Sequence, residues 1–255
     1  MILLLSPAKI QNFEEQNTII EFSQPQFMDD AEFLINEIRQ LSLSELAKLL
    51  EINSNLAQLN VDRHFNWQRP FTTQNAKQAV LVFNGEVFRG LDAKSLSTQD
   101  LSYLQSHLRI LSGLYGILRP FDLIQPYRLD VSTRIKTDSG RNLYAFWKEK
   151  ITLALNSALE AGGGQQVLLN LASNEYMKAI DRKLLKAEVI DFEFLEYKNG
   201  TYKPIVIYIK RARGMMVRYV VENRIDKIED LKGFSAEGYW FSPQLSTKNK
   251  FVFTR

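Results

Sequence analysis

The side chains best suited to chemistry in this sequence are cations that surround two closely spaced glycines. Gly113 and Gly116 are preceded by Arg109 and followed by Arg119 and Arg128. Glycine lets the backbone turn sharply and leaves its amides unobstructed, so a turn of this kind can bind a phosphate. The pattern predicts a hairpin after a helix, similar to the hairpin of helix–hairpin–helix modules. An ordinary helix–turn connection is the alternative.

A second group of cations consists of Lys210, Arg211 and Arg213. We expect them where a strand over residues 204–210 ends and a helix begins. Cations at a helix start oppose the helix dipole, and a bound anion would reverse that conflict. Residues 197–221 contain six cations and no Asp or Glu, which favours a positive face. A solvated charge cluster without a ligand is the alternative.

A third group of polar residues follows two predicted buried strands. Its members are Ser6, Lys9, Asn170, Ser173 and Tyr176. Strand ends commonly form the binding crevice of proteins that combine sheets and helices, so these residues form a possible cleft. Ser173 also fits the N-cap of a helix with Glu175 in its first turn.

Several kinds of site are absent from the sequence. It has no cysteine and only two histidines, His64 and His107, so Cys-ligated metals, thiol nucleophiles and His-rich metal sites are excluded. The Walker phosphate loop, the dinucleotide-binding glycine motif, the nucleophile elbow and the paired-histidine zinc motif are all missing. We therefore predict no metal site, no cofactor and no recognisable catalytic motif.

Periodicity and composition indicate one α+β domain over residues 1–255, with a mixed β-sheet flanked by helices. Sequence patterns predict strands at 2–5, 79–83, 167–169, 187–197 and 204–210, and helices at 100–111 and 142–159. We further expect a hairpin at 84–85, a closing hairpin within 238–253, and an acidic helical subdomain around 29–67 that contains a capping box at 42–45. The first residues lack a basic leader and no stretch could span a bilayer, so we expect a cytoplasmic protein.

Six segments together resemble the YaaA family of bacterial peroxide-stress proteins. They are residues 6–9, 108–120, 125–129, 170–173, 212–214 and 222–224. They follow the family's order, and the resemblance covers nearly the whole chain. It implies a mixed α/β architecture with a positive cleft, a helix–hairpin–helix element and affinity for DNA. It also implies a role in limiting damage from unincorporated iron during hydrogen peroxide stress.

The leading hypothesis is a DNA-binding protection protein in which Lys9, Arg109, Arg119, Arg128, Lys210, Arg211 and Arg213 contact phosphates. Such contacts carry no base information, so binding would tolerate many sequences and could select DNA structure. If about five phosphates are neutralised, the logarithm of the association constant should fall against the logarithm of salt concentration with a slope of roughly −4 to −5.

Two other hypotheses follow from the same residues. In the first, the protein is an enzyme that acts on nucleic acid or a phosphorylated small molecule, with Lys9 as amine nucleophile or clamp and Glu175 or Asp122 as its acid–base partner. In the second, the protein sequesters iron directly, but mostly oxygen ligands are present, and these suit hard cations better than ferrous iron.

Overall fold

The fold is built around a mixed β-sheet, seen in a computed structural model that describes residues 1–14, 21–138 and 140–255. Within these residues the strands are β1 (Ile2–Leu5), β2 (Lys77–Gln78), β3 (Leu108–Ser112), β4 (Gly116–Leu118), β5 (Leu123–Ile124), β6 (Val167–Asn170), β7 (Glu188–Lys198), β8 (Thr201–Lys203), β9 (Trp240–Phe241) and β10 (Lys250–Thr254). The α-helices are α1 (Met28–Arg39), α2 (Leu43–Leu50), α3 (Ser54–Asn66), α4 (Ala79–Val82), α5 (Glu86–Leu91), α6 (Thr98–His107), α7 (Leu143–Ala161), α8 (Asn174–Met177) and α9 (Val206–Glu222). The α+β fold class is confirmed.

The main sheet has five parallel strands at its centre and antiparallel strands at its edges. The strand order is β4-β3-β1-β6-β7-β10-β9, and β8 pairs with β7 beside this path. β1 is parallel to both β3 and β6, and β7 is parallel to both β6 and β10. The carboxyl ends of β1 and β6 therefore meet at the same edge, where the Leu171 amide donates to the Leu4 carbonyl at 3.0 Å.

The core lies along the central strands and the helices that cover them. All four residues of β1 and all four of β6 are buried, as expected for parallel strands covered on both faces. On one side α5 and α9 pack so closely that their backbones touch. A Cβ on Gly214 would collide with the Val87 carbonyl, and one on Gly90 would collide with the Arg211 carbonyl. This contact fixes α9 against α5.

Several predicted elements are confirmed. Three helices cover residues 28–66, and the capping box is present, because the Ser42 hydroxyl accepts from the Glu45 amide while Glu45 accepts from the Ser42 amide. Asn53 caps α3. The predicted strands at 2–5, 167–169 and 187–197 and the helix at 142–159 correspond to β1, β6, β7 and α7, and β9 pairs with β10 as a closing hairpin.

The strand predicted at 79–83 and the hairpin at 84–85 are wrong. Residues 79–82 form the short helix α4, and the turn over residues 83–85 leads directly into α5. Ala79, Val80, Leu81 and Val82 are buried on every side. A short run that is apolar all round has no periodicity, so it does not distinguish a strand from a buried helical turn.

Two further boundaries differ from the prediction. Residues 206–210 belong to α9 and not to a strand, although they contain three β-branched residues. Burial of Ala212, Met216 and Val220 along α9 overrides that local preference. The helix predicted at 100–111 ends at His107, because Leu108 already starts β3 and pairs with Leu3.

Candidate functional site

A cavity of about 370 Å³ opens at the sheet edge where β1 and β6 end. Its wall combines residues 6–10, residues 84–88 at the turn between α4 and α5, and the start of α8. We call this cavity the cleft, and its polar lining residues are Ser6, Lys9, Asn84, Glu86, Asp130, Ser173, Glu175, Tyr176, Lys210 and Arg213. Six residues predicted from the sequence therefore meet in one place: Ser6, Lys9, Ser173, Tyr176, Lys210 and Arg213.

Two serines join the ends of β1 and β6 at the base of the cleft. The Ser6 hydroxyl donates to Ser173 Oγ at 3.2 Å and accepts from the Ser173 amide at 2.9 Å. Ser173 is also the N-cap of α8, and its hydroxyl accepts from the Tyr176 amide. The predicted capping role of Ser173 is confirmed, and the same side chain lies in the cleft.

A lysine and a phenol both contact one carboxylate, that of Asp130, inside the cleft. Lys9 Nζ lies 3.2 Å from Asp130 Oδ2, and the Tyr176 hydroxyl donates to Asp130 Oδ1 at 3.4 Å. Burial, reinforced by the Asp130 charge, raises the pKa of Tyr176 well above its usual value. The Tyr176 hydroxyl therefore stays protonated at neutral pH and donates a hydrogen bond. The Lys9 side chain is 65% exposed, so this ion pair is weak and can exchange for a ligand anion.

Lys210 and Arg213 lie three residues apart on α9 and face the cleft together. Among the residues that the structure describes, no carboxylate lies within ion-pair distance of either. Arg213 Nε is buried and has no hydrogen-bond partner within residues 1–14, 21–138 and 140–255, and burial lowers the pKa of the Arg213 guanidinium. The carboxylates of the lining have other partners: Glu86 pairs with Arg89, Asp130 with Lys9, and Glu175 accepts from the Ser132 hydroxyl. Two cations are thus left to bind an anion.

Asn170 lies in a neighbouring cavity of about 410 Å³ that shares Arg213 with the cleft. Its amide nitrogen donates to Asp191 Oδ1 at 2.6 Å, and its side-chain oxygen accepts from the Ala172 amide at 3.1 Å. These bonds hold the chain as it leaves β6. Asn170 is therefore close to the cleft but already engaged within the protein.

Arg128 belongs to a segment that runs beside the cleft. The Tyr127 amide donates to Gln11 Oε1 at 3.1 Å, and Asp130 pairs with Lys9, so residues 127–130 lie against residues 9–11. Arg128 Nε is buried and has no hydrogen-bond partner in the part of the chain that the structure describes. Burial and the nearby Arg128 charge lower the pKa of Arg63. Sequence reasoning missed Arg63, because no local pattern on α3 distinguishes it from a surface cation.

Arg109, Arg119 and Arg211 do not reach the cleft. Arg109 and Arg119 line a separate cavity of about 410 Å³. Burial and the Arg119 charge lower the pKa of Arg109 to about 10, and Arg109 donates to the Leu108 carbonyl at 2.7 Å. Arg119 pairs with Asp122 at 3.1 Å, and Arg211 pairs with Glu237 at 2.8 Å. The expectation that all seven cations grip one polyanion therefore does not fit this arrangement.

The glycine turn differs from its prediction. Gly113 and Gly116 connect β3 to β4, so no helix lies directly on either side of the turn. Both glycines are buried; the Gly113 carbonyl accepts from Trp147 Nε1 at 2.8 Å. The next two amides, at residues 114 and 115, donate to the Ser112 hydroxyl. The prediction of outward amides that bind phosphate is wrong, because the turn is packed into the core.

No group of three or more His, Asp or Glu side chains in the described ranges is arranged to hold a metal ion. In the same ranges no helix has both the length and the apolar character that crossing a membrane requires.

Comparison with known proteins identifies the family. Residues 1–245 match the family model described as peroxide stress protein YaaA. A UPF0246 protein of Burkholderia mallei (strain SAVP1) is 52% identical over 100% of this chain and 98% of its own length. Another UPF0246 protein, from Aromatoleum aromaticum, is 50% identical over 100% of this chain and 99% of its own length. The chain belongs to the family of peroxide stress protein YaaA, and a role in peroxide stress follows from that membership.

Proposed function

We propose that this protein binds the phosphate backbone of DNA in the cleft and so limits damage from unincorporated iron during hydrogen peroxide stress. The observation that carries the proposal is the convergence of Lys9, Lys210 and Arg213, two of which face the cleft without a carboxylate partner among the described residues. A phosphate would supply the acceptor that the buried Arg213 Nε lacks. Phosphate contacts of this kind tolerate any base sequence.

The turn between α4 and α5 forms part of the cleft wall. Asn84 and Gly85 form this turn, and Gly85 lies so close to Ala8 that an added Cβ would be 3.2 Å from the Ala8 Cβ. Two short helices joined by a tight, glycine-containing turn provide a narrow edge that a DNA strand can approach. We assign the helix–hairpin–helix role implied by the family resemblance to residues 79–91.

A DNA-bound protein can reduce iron damage without binding iron itself. Ferrous ions associate with DNA as counterions of its phosphates, and hydroxyl radicals formed there attack the adjacent strand. Lysine and arginine side chains that neutralise phosphates release the counterions. The cleft cations would therefore displace iron from the segments that the protein covers.

Duplex binding by single-charge variants tests the proposal. We expect Lys210→Ala and Arg213→Met each to raise the Kd for a fluorescent 20-base-pair duplex about fivefold to tenfold at roughly 0.1 M salt, because each removes a phosphate contact. The matched control is Lys186→Ala, which removes an equal charge from a lysine paired with Glu160 outside the cleft. Anisotropy titrations in which all three variants bind like the unaltered protein would reject the cleft as the DNA site.

An enzyme acting on nucleic acid is the second candidate, and the contact of Lys9, Asp130 and Tyr176 favours it. An amine beside a carboxylate and a phenol could act on a damaged sugar or a phosphoester. Denaturing gels after incubation with nicked, abasic and branched DNA distinguish the two functions. An enzyme would yield a product that Lys9→Met fails to make, whereas a binding protein leaves every strand intact.

A further inference from the structure

The cavity of about 410 Å³ that contains Asn170 adjoins the cleft along two segments of the chain, and we call it the side cavity. Within residues 170–175, every second residue from Asn170 onwards lines the side cavity, and the residues between them line the cleft. On α9, Ile209 lines the side cavity, Lys210 lines the cleft, and Arg213 lines both. A ligand that binds at Arg213 can therefore reach both cavities.

A gap in the main sheet accounts for the position of the side cavity. β10 covers one edge of β7 over residues 191–195, and Arg255 continues along that edge. The other edge pairs with β6 at residues 188–191 and with β8 at residues 196–198. Among the described residues no strand covers residues 192–195 on this second edge. Because β6 and β8 close the gap at both ends, it has room for a compact group but not for an extended peptide.

The lining of the side cavity combines an apolar floor with an amide. Ala172, Phe192 and Phe194 line it and are at most 7% exposed. Asn174 also lines it and is exposed, and its side chain offers both hydrogen-bond donors and an acceptor. An apolar cavity with a few polar groups is typical of sites that bind small planar ligands.

The charges of the side cavity are balanced. Asp191 pairs with Arg182 at 3.3 Å, and Glu193 pairs with Lys250 at 2.5 Å. Arg213 is the remaining cation of this lining, and it also lines the cleft. The side cavity thus suits an uncharged group, whereas the anion of the same ligand belongs beside Arg213 in the cleft.

We propose that the side cavity receives a nucleobase extruded from the DNA whose phosphate binds Lys210 and Arg213 in the cleft. A nucleobase is compact, planar and uncharged, and its polar edge could bond with the Asn174 amide. Consecutive residues line the two cavities and lie about 3.8 Å apart, so one nucleotide can place its phosphate in one cavity and its base in the other. The inference rests on the proposed function and adds a base-binding site to it.

Fluorescence of 2-aminopurine reports on extrusion directly, because this base emits weakly when stacked in a duplex and strongly when unstacked. The probe is a 20-base-pair duplex with one central 2-aminopurine opposite cytosine. We expect saturating protein to raise its emission about threefold, since a mismatched base costs least to extrude. The same duplex with 2-aminopurine opposite thymine should bind with a smaller rise. No rise on binding of the mismatched duplex would overturn the inference.

A substitution that fills the side cavity provides the second measurement. Asn174→Tyr adds a ring to the side cavity and alters no residue of the cleft lining. We expect it to abolish the rise in emission and to leave the Kd for a fully paired duplex unchanged. The matched control is Asn55→Tyr, because Asn55 is likewise an exposed asparagine in the first turn of a helix. A rise that persists in Asn174→Tyr would contradict the inference.

The outcomes separate this inference from the proposed function. If no duplex binds, the proposed function itself fails. If duplexes bind, Lys210→Ala weakens that binding and 2-aminopurine emission stays constant, only the base-binding site fails. If free deoxycytidine monophosphate binds more tightly than the mismatched duplex and Asn174→Tyr removes this binding, the side cavity takes a free nucleotide and the inference is wrong.

Discussion

Arg213 occupies an unusual position for a guanidinium, because it lines two cavities and its Nε has no partner in the described part of the chain. A buried donor without an acceptor costs on the order of 1–3 kcal/mol. Because Arg213 lines the cleft, an oxygen atom of a bound ligand could accept a hydrogen bond from its Nε and remove this energetic cost. Lys9 shows the opposite arrangement, since its exposed ion pair with Asp130 is easily exchanged. Arg213 thus offers a buried donor that lacks an acceptor, whereas Lys9 offers a charge that must first leave Asp130.

At the same scale, the residues of the cleft were only partly predictable from sequence. Ser6, Lys9, Ser173 and Tyr176 follow buried strands that are recognisable from their apolar runs, and adjacent parallel strands end at one edge. Asp130 belongs to a segment without regular structure that packs against residues 9–11. Its position depends on tertiary packing alone, so no local pattern indicates it.

His64 makes the fold sensitive to acid. It is 2% exposed, its ring nitrogens have no hydrogen-bond partner among the residues described, and burial together with the charges of Arg63 and Arg39 lowers its pKa from 6.5 to about 4. The native state therefore holds a neutral ring, while the unfolded state takes up a proton below pH 6.5. We expect the contribution of His64 to the free energy of unfolding to be constant above pH 6.5. As pH falls from 6.5 to 4, this contribution should decrease progressively, by about 3 kcal/mol in total.

Urea denaturation of His64→Leu and the unaltered protein checks that dependence. The variant's free energy of unfolding, relative to the unaltered protein, should increase by roughly 1.4 kcal/mol per pH unit as pH falls from 6.5 to 4. Other titrating groups are present in both proteins, so they cancel in the difference. Parallel curves over that range would show that the His64 ring is not held neutral by the fold.

Among the elements, the contact of α5 with α9 determines the shape of the cleft. Both helices line it, α5 through Glu86 and Val87 and α9 through Lys210 and Arg213. Gly90 and Gly214 let the two backbones meet. Sequence reasoning identified neither helix boundary correctly, because α5 is short and α9 begins with β-branched residues. The pairing of these helices becomes visible only in three dimensions.

Gly214→Ala should destabilise the protein although alanine is the better helix former. Alanine in an exposed helix interior gains up to about 1 kcal/mol over glycine, but here its Cβ would overlap the Val87 carbonyl. We expect a net loss of about 2–3 kcal/mol in the free energy of unfolding. Gly162→Ala serves as the control, since its Cβ would meet no atom closer than 3.5 Å. Equal stability of the two variants in urea would contradict this packing.

Across the whole molecule, the distribution of charge matters more than its total of +3. The sequence alone correctly indicates a cation-rich stretch at residues 197–221. It does not show that Arg211 pairs with Glu237, or that Arg109 lines a different cavity, because those contacts join distant segments. The Arg119–Asp122 pair joins residues only three positions apart, but no periodic pattern in the sequence indicates it. The fold therefore brings fewer than seven of the predicted cations into the cleft, namely Lys9, Lys210 and Arg213.

The salt dependence of duplex binding tests the central claim most directly. The cleft contains three cations: Lys9, Lys210 and Arg213. Each phosphate contact contributes roughly −0.9 to the slope of the logarithm of the association constant against the logarithm of salt concentration, so we predict a slope of about −3. The double variant Lys210→Ala/Arg213→Met should reduce this slope to about −1. A flat response in the unaltered protein, or an unchanged slope in the double variant, would contradict DNA binding through the cleft.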